Sequence, residues 1–183
     1  MPTYRDEAVV LRTHQLGEAD RIISLLTQQH GKVRAVARGV RRSGSKFGAR
    51  LEPFSHVDVQ LLTGRGSLEI ITQVETLHPG LMGLDYHRFT AGEVLVEAAD
   101  RLVSEDGTPS RSQYRLLLGA IVALAKPDRS AEAVVDSYLL RALATAGYAM
   151  ILDACFGCGE ASDMRWFSPQ GGGVSCAGCR PPG

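Results

Sequence analysis

The sequence has no apolar run long enough to span a bilayer, no cysteine before position 155 and few aromatic residues. Its longest nearly unbroken apolar run, Leu116 to Ala125, is far short of the ~20 residues a membrane helix needs, so it reads as a buried helix. Arg5, Asp6 and Glu7 interrupt the first apolar stretch, which excludes a secretory signal there and makes a cytoplasmic protein the expectation. There is no Walker A loop, no G-x-S-x-G and no H-E-x-x-H, and nothing assembles into an enzyme. What is present is enough apolar residue, 44%, for a packed core of one domain or two small ones.

Net charge is zero, but its distribution is uneven. Residues 1–79 carry a net +3 and residues 80–154 a net −3. From Arg21 to Leu51 there are eight basic residues and no acidic one. A zero total therefore conceals a basic N-terminal half beside an acidic middle.

Residues 3–78 read as β-structure. Ala8–Leu11, Ile22–Thr27, Lys32–Val40, the alternating Val57, Val59 and Leu61, and Leu68–Val74 make five strands, and turn signals stand at His30-Gly31 and Thr63-Gly64-Arg65-Gly66-Ser67. Five strands in about 75 residues suggest a small closed barrel. After His78-Pro79-Gly80 the period becomes helical. Val94, Leu95, Ala98 and Leu102 fit one helix face. Tyr114, Leu117, Leu118, Ile121, Leu124 and Ala125 fit a second, and Val135, Tyr138, Leu139, Ala142, Leu143 and Ala146 a third. The core is expected around Leu95, Leu118, Ile121, Leu139 and Leu143, with Glu97 on a solvated face. Ser110 with Gln113 reads as a capping box, Ser130 with Glu132 as the next helix start, and Gly147 as its stop.

All four cysteines lie in the last 29 residues, as Cys155-Phe-Gly-Cys158 and Cys176-Ala-Gly-Cys179. Two C-x-x-C knuckles, turned at Gly157, Gly159 and Gly178, supply tetrahedral coordination by four sulfurs, a strong signal for one zinc ion. Disulfides are disfavoured without a secretion signal. Four thiolates leave no open position, and no histidine is followed two residues on by Glu, so the zinc is expected to be structural. Trp166-Phe167 and Gly171–Val174 fit two short strands between the knuckles.

The other candidates carry less. Gly17-Glu18-Ala19-Asp20 reads as a turn, and His14, His30, His56, His78 and His87 as surface or packing residues. Arg38 to Arg50 is either a solvated loop or a nucleic-acid contact, and charge alone favours the contact. The candidate DNA-binding residues are Lys32, Arg34, Arg38, Arg41, Arg42, Lys46, Arg50 and Arg65. Lys32, Arg34 and Arg38 have the even spacing of one strand face, and Arg41 to Arg50 reads as a mobile loop.

Several stretches together carry a resemblance: Leu16-Gly17-Glu18-Ala19-Asp20-Arg21, Ala37-Arg38-Gly39-Val40-Arg41-Arg42, Ser45-Lys46-Phe47, Leu51-Glu52-Pro53-Phe54, Tyr86-His87-Arg88-Phe89 and the paired C-x-x-C tail. Over nearly its whole length the chain resembles the RecO family of bacterial recombination mediators. The resemblance implies an α+β chain: an N-terminal OB-fold β-barrel over 1–79, then an α-helical domain over 80–183 with a four-cysteine zinc-ribbon-like element at 155–179. It also implies further helices after the last cysteine pair, which a chain ending at Arg180-Pro181-Pro182-Gly183 is expected to lack. By the same resemblance the protein binds single- and double-stranded DNA, anneals complementary strands and contacts the tail of single-strand binding protein (SSB). With RecR it helps load RecA onto SSB-coated DNA, in the nucleoid. Only Tyr4, Phe47 and Phe54 are aromatic among residues 1–79, so binding is expected to be electrostatic, tolerant of sequence and salt-sensitive. The rival readings are a zinc-ribbon module whose basic face meets a protein, and a zinc enzyme.

Overall fold

The computed structural model describes residues 2–45, 47–64, 66–80, 85–104 and 108–180. Five strands, β1 (Thr3–Leu16), β2 (Asp20–Thr27), β3 (Lys32–Ala37), β4 (His56–Leu62) and β5 (Glu69–His78), close into a barrel in the order β1-β2-β3-β5-β4. The β3–β5 pair is parallel and the other pairs are antiparallel. Period-two alternation sends Ala8, Val10, Ile23, Leu25, Val57 and Val59 inward, where all six are fully buried. In β1 the alternate residues Val9 and Leu11 are buried as well, on the outer face. They join Leu26 and Phe54 in a second core with the helices. This two-sided burial is why Ala8 to Leu11 is an unbroken apolar run.

The helices are α1 (Tyr86–Leu102), α2 (Arg111–Leu124) and α3 (Ala131–Thr145). Asp85 caps α1 by accepting from the Arg88 N–H, and Ser130 caps α3 by accepting from the Ala133 N–H. Gly147, at φ 93°, turns the chain after α3. The expected α2 face is largely the buried one, although Leu118 is only partly buried. Other expectations change too. In α1 the buried residues are Gly92, Leu95, Val96 and Ala99, while Val94 is 43% exposed, because β1 and α2 pack on a face about one residue from the expected one. Glu97 is not merely solvated: it pairs with Arg12 of the barrel and with Arg101. The Ser110–Gln113 capping box does not form. Gln113 is buried and donates to the Ala142 carbonyl at 2.8 Å. In α3, Tyr138 and Ala142 are buried while Leu139 and Leu143 are half-buried.

The chain divides into two compact units, 1–142 and 143–183, so the barrel and most of the helical segment share one unit. In the second unit the two short strands expected between the knuckles, β6 (Trp166–Ser168) and β7 (Gly173–Ser175), pair antiparallel. No helix among the described residues is long and apolar enough to cross a membrane.

Candidate nucleic-acid interface and metal centre

The motif stretches of the N-terminal half meet at one end of the barrel. The turn between β1 and β2 places Asp20 so that its carboxylate accepts the Gly39 N–H at 2.7 Å. The Arg41 N–H donates to the Ala19 carbonyl at 3.0 Å, and its guanidinium donates to the carbonyls of Glu18 and Gly17 at 3.0 and 3.5 Å. Arg21 reaches Glu52 at 2.8 Å. Beneath these polar ties Val40, Phe47 and Leu51 insert into the barrel core. The segment expected to be a mobile loop is thus stapled at both ends and in its middle, by apolar burial that its charge pattern concealed.

This staple holds arginines outward. Arg34, Arg38, Arg41, Arg42 and Arg50 are all exposed. Arg34, Arg38 and Arg42 form no ion pair with a described residue. Arg34 lies on the outer face of β3, whereas Arg38 follows the end of that strand at Ala37. Lys32 does not join them. Its strand parity matches Arg34, but α1 covers it: its Nζ lies 3.0 Å from Asp100 Oδ1 and donates to the Asp100 carbonyl at 2.7 Å. Arg12 completes this latch through Asp100, at 3.1 Å, and Glu97. Lys46 and Arg65 lie outside the described residues.

A second seam between barrel and helices joins His56, Tyr114 and Glu7. His56 Nε2 lies 2.9 Å from the Tyr114 hydroxyl, which donates to Glu7 Oε2 at 3.2 Å. Burial holds the His56 pKa below its ordinary value, against the opposing pull of Glu7. Burial, with Glu7 second, pushes the Tyr114 hydroxyl far up, so it remains a donor.

Sequence patterns did not reveal the role of Arg88. Its guanidinium donates to the carbonyls of Leu124 and Lys126 through Nη1, at 2.5 and 2.9 Å, and to those of Pro127 and Arg129 through Nη2, at 3.2 and 3.0 Å. It thereby takes up carbonyls that the end of α2 leaves without helical partners. The adjacent Phe89 meets Phe54 edge-on at 5.3 Å. Beside the loop that Arg88 holds, α2 and α3 frame a groove of about 490 Å³. Its floor is Leu116, Ala120, Ala123 and Val134, and its rim carries Arg115, Lys126, Arg129 and Arg141 with no carboxylate among the lining residues.

In the second unit the sulfur atoms of Cys155, Cys158, Cys176 and Cys179 lie within 4.8 Å of one another. Metal–thiolate bonds of ~2.3 Å in a tetrahedron require sulfur–sulfur edges of about 3.8 Å. The Cys158–Cys176 edge is 3.8 Å. Backbone N–H groups of Cys176, Cys158 and Gly157 draw the Cys155 thiol pKa down to about 6, while hydrogen bonds with Cys158, Cys176 and Cys155 push Cys179 up to about 12. Four close thiol groups suit a divalent cation, whose charge would offset that of the thiolates. Gly157 is needed for close approach, since a Cβ there would lie 2.9 Å from Cys179 Cβ, and Gly159 for its φ of 76°. Gly178 has neither constraint. The donor set fits a metal ion with no position left for substrate.

Two family models cover the chain, Recombination protein O N terminal over residues 1–79 and Recombination protein O C terminal over residues 83–183. The DNA repair protein RecO of Cutibacterium acnes is 57% identical over 189 residues, covering 100% of this chain and 76% of that protein. The RecO protein of a Nocardioides species is 58% identical over 186 residues, covering 98% and 75%. That of Thermobifida fusca is 50% identical over 185 residues, covering 100% and 76%. With both halves matched and such identities sustained along its length, the chain belongs to the RecO family of DNA repair proteins.

Proposed function

We propose that the stapled segment of the barrel holds the phosphate backbone of single- and double-stranded DNA through Arg34, Arg38, Arg41, Arg42 and Arg50, joined by Lys46 and Arg65. The observation that carries this reading is a set of exposed arginines on β3 and the braced loop after it, three of them without an ion pair to a described residue. Phosphate contact fixes register without reading bases. A cationic platform that leaves bases free also lowers the repulsion between two strands, so the protein anneals complements with no covalent step. Residues 1–79 are the DNA-binding part, and residues 80–183 carry the partner contacts and one structural zinc on the four cysteines. In the cell, working with RecR in the cytoplasm on the nucleoid, it helps load RecA onto SSB-coated DNA.

The α2–α3 groove is the seat for the SSB tail. Its cationic rim suits an acidic peptide, and its apolar floor suits an apolar side chain of that peptide. The test of the DNA reading is single-strand affinity from low to moderate salt, with strand annealing alongside. Arg38→Ala/Arg42→Ala is expected to reduce the salt slope by roughly 0.7 for each lost phosphate contact and to slow annealing. Unchanged affinity and slope would remove this segment from the DNA site. The reading as a protein-contact module would then lead, supported by the exposed Tyr148, Ile151, Leu152 and Phe167 of the second unit.

A further inference from the structure

We propose that Arg88 is the positioning residue of the α2–α3 groove, fixing the loop whose Lys126 and Arg129 form one end of its cationic rim. The inference rests on the reading of that groove as an acidic-peptide site. Arg88 stands outside the groove, and only 15% of its side chain is exposed. Its guanidinium binds the carbonyls of both rim residues, Lys126 at 2.9 Å and Arg129 at 3.0 Å, and those of Leu124 and Pro127 around them. The backbone of the two rim residues is therefore tied to α1, while their side chains line the groove.

The end of α2 leaves carbonyls without helical partners, so the loop that follows it needs an outside donor to hold it. The planar fork of one arginine meets four oxygens at once. A lysine ammonium, with a compact charge and three donors, cannot reproduce that pattern. Asp85 caps the same helical turn and lies 3.5 Å from the Arg88 guanidinium, so the fork is held from behind. Arg88 then acts on a bound peptide through Lys126 and Arg129 rather than by touching it.

The test uses the whole chain and a labelled aspartate-rich hexapeptide ending in phenylalanine, titrated by fluorescence anisotropy. Arg88→Lys and Arg88→Ala are compared with wild type, with single-strand DNA affinity as the control for folding. Both variants are expected to keep DNA affinity, to show faster amide exchange over residues 125–130, and to lose up to about fivefold in peptide affinity for each displaced cation. Arg88→Lys keeps the positive charge, so loss of affinity in that variant assigns the effect to the fork. Wild-type peptide affinity in both variants would overturn the inference while leaving the groove reading intact. A wild-type protein that does not bind the peptide would overturn the groove reading, and this inference with it.

Discussion

The Asp20 carboxylate accepts the Gly39 N–H at 2.7 Å, joining two segments that are 19 residues apart. Gly39 has a φ of 66°, so it sits at a left-handed turn where glycine is favoured, and Asp20 holds that turn in place. The exposed arginines follow directly from it.

Replacing this anchor should loosen the arginines without removing any of them. Asp20→Ala is expected to cost about 1.5–3 kcal/mol, the range for a hydrogen bond to a charged group. Urea unfolding measures the cost, and a salt titration of single-strand binding measures the consequence. Weaker DNA binding with unchanged charge on every arginine is the expected result. Wild-type stability and affinity together would show that the anchor is dispensable.

Lys32 shows where charge counting misleads. Its Nζ is held by Asp100 under α1, with only 6% of its side chain exposed. Lys32→Ala leaves Asp100 facing Arg12 alone. Breaking a buried pair by removing one partner costs about 3–5 kcal/mol. The unfolding midpoint should fall, while the salt slope of DNA binding stays at the wild-type value. A reduced slope with an unchanged midpoint would return Lys32 to the DNA surface.

These two residues mark what the sequence makes legible. Alternation and turn chemistry expose the strands because the barrel interior demands a period of two, and the C-x-x-C pairs expose the metal centre because ligand spacing is local. Which side of a helix is buried is less local. Val94, Leu95 and Val96 are consecutive apolar residues, and only packing against β1 and α2 decides that Leu95 and Val96 go inward. Lys32 and Arg34 have the same strand parity, and only α1 distinguishes them. Gln113 fits a cap by spacing, yet the Ala142 carbonyl takes its side chain. Arg88 is invisible as a functional residue in one dimension because its four acceptors are 36 to 41 residues away.

The His56 seam predicts a pH dependence. Burial lowers the His56 pKa below 6.5, with Glu7 opposing the shift and His78 reinforcing it. The unfolded chain therefore binds this proton more readily than the folded one. The corresponding stability is complete above the unfolded pKa and is lost as pH falls from there towards the folded value. Denaturant midpoints measured stepwise below pH 7 should decline in the wild type and decline less steeply in His56→Gln. Parallel pH profiles would place the acid sensitivity elsewhere.

The metal centre predicts a difference between losing a ligand and losing the room for one. Cys158→Ser removes a sulfur from the quartet. Gly157→Ala keeps all four but places a Cβ 2.9 Å from Cys179 Cβ. Full coordination by thiolates contributes about 10–16 kcal/mol in small zinc peptides, so both variants should weaken metal binding, and Cys158→Ser the more strongly. Metal stoichiometry and competition with a chelator rank the variants. Thermal melting should show the loss in residues 143–183 while the barrel unfolds as in the wild type. Gly178→Ala is the control, because its glycine has ordinary φ and the nearest atom to a Cβ there, Cys176 Sγ, is 4.0 Å away. If Gly157→Ala holds metal as tightly as Gly178→Ala, the close approach of the two knuckles is not what shapes the site.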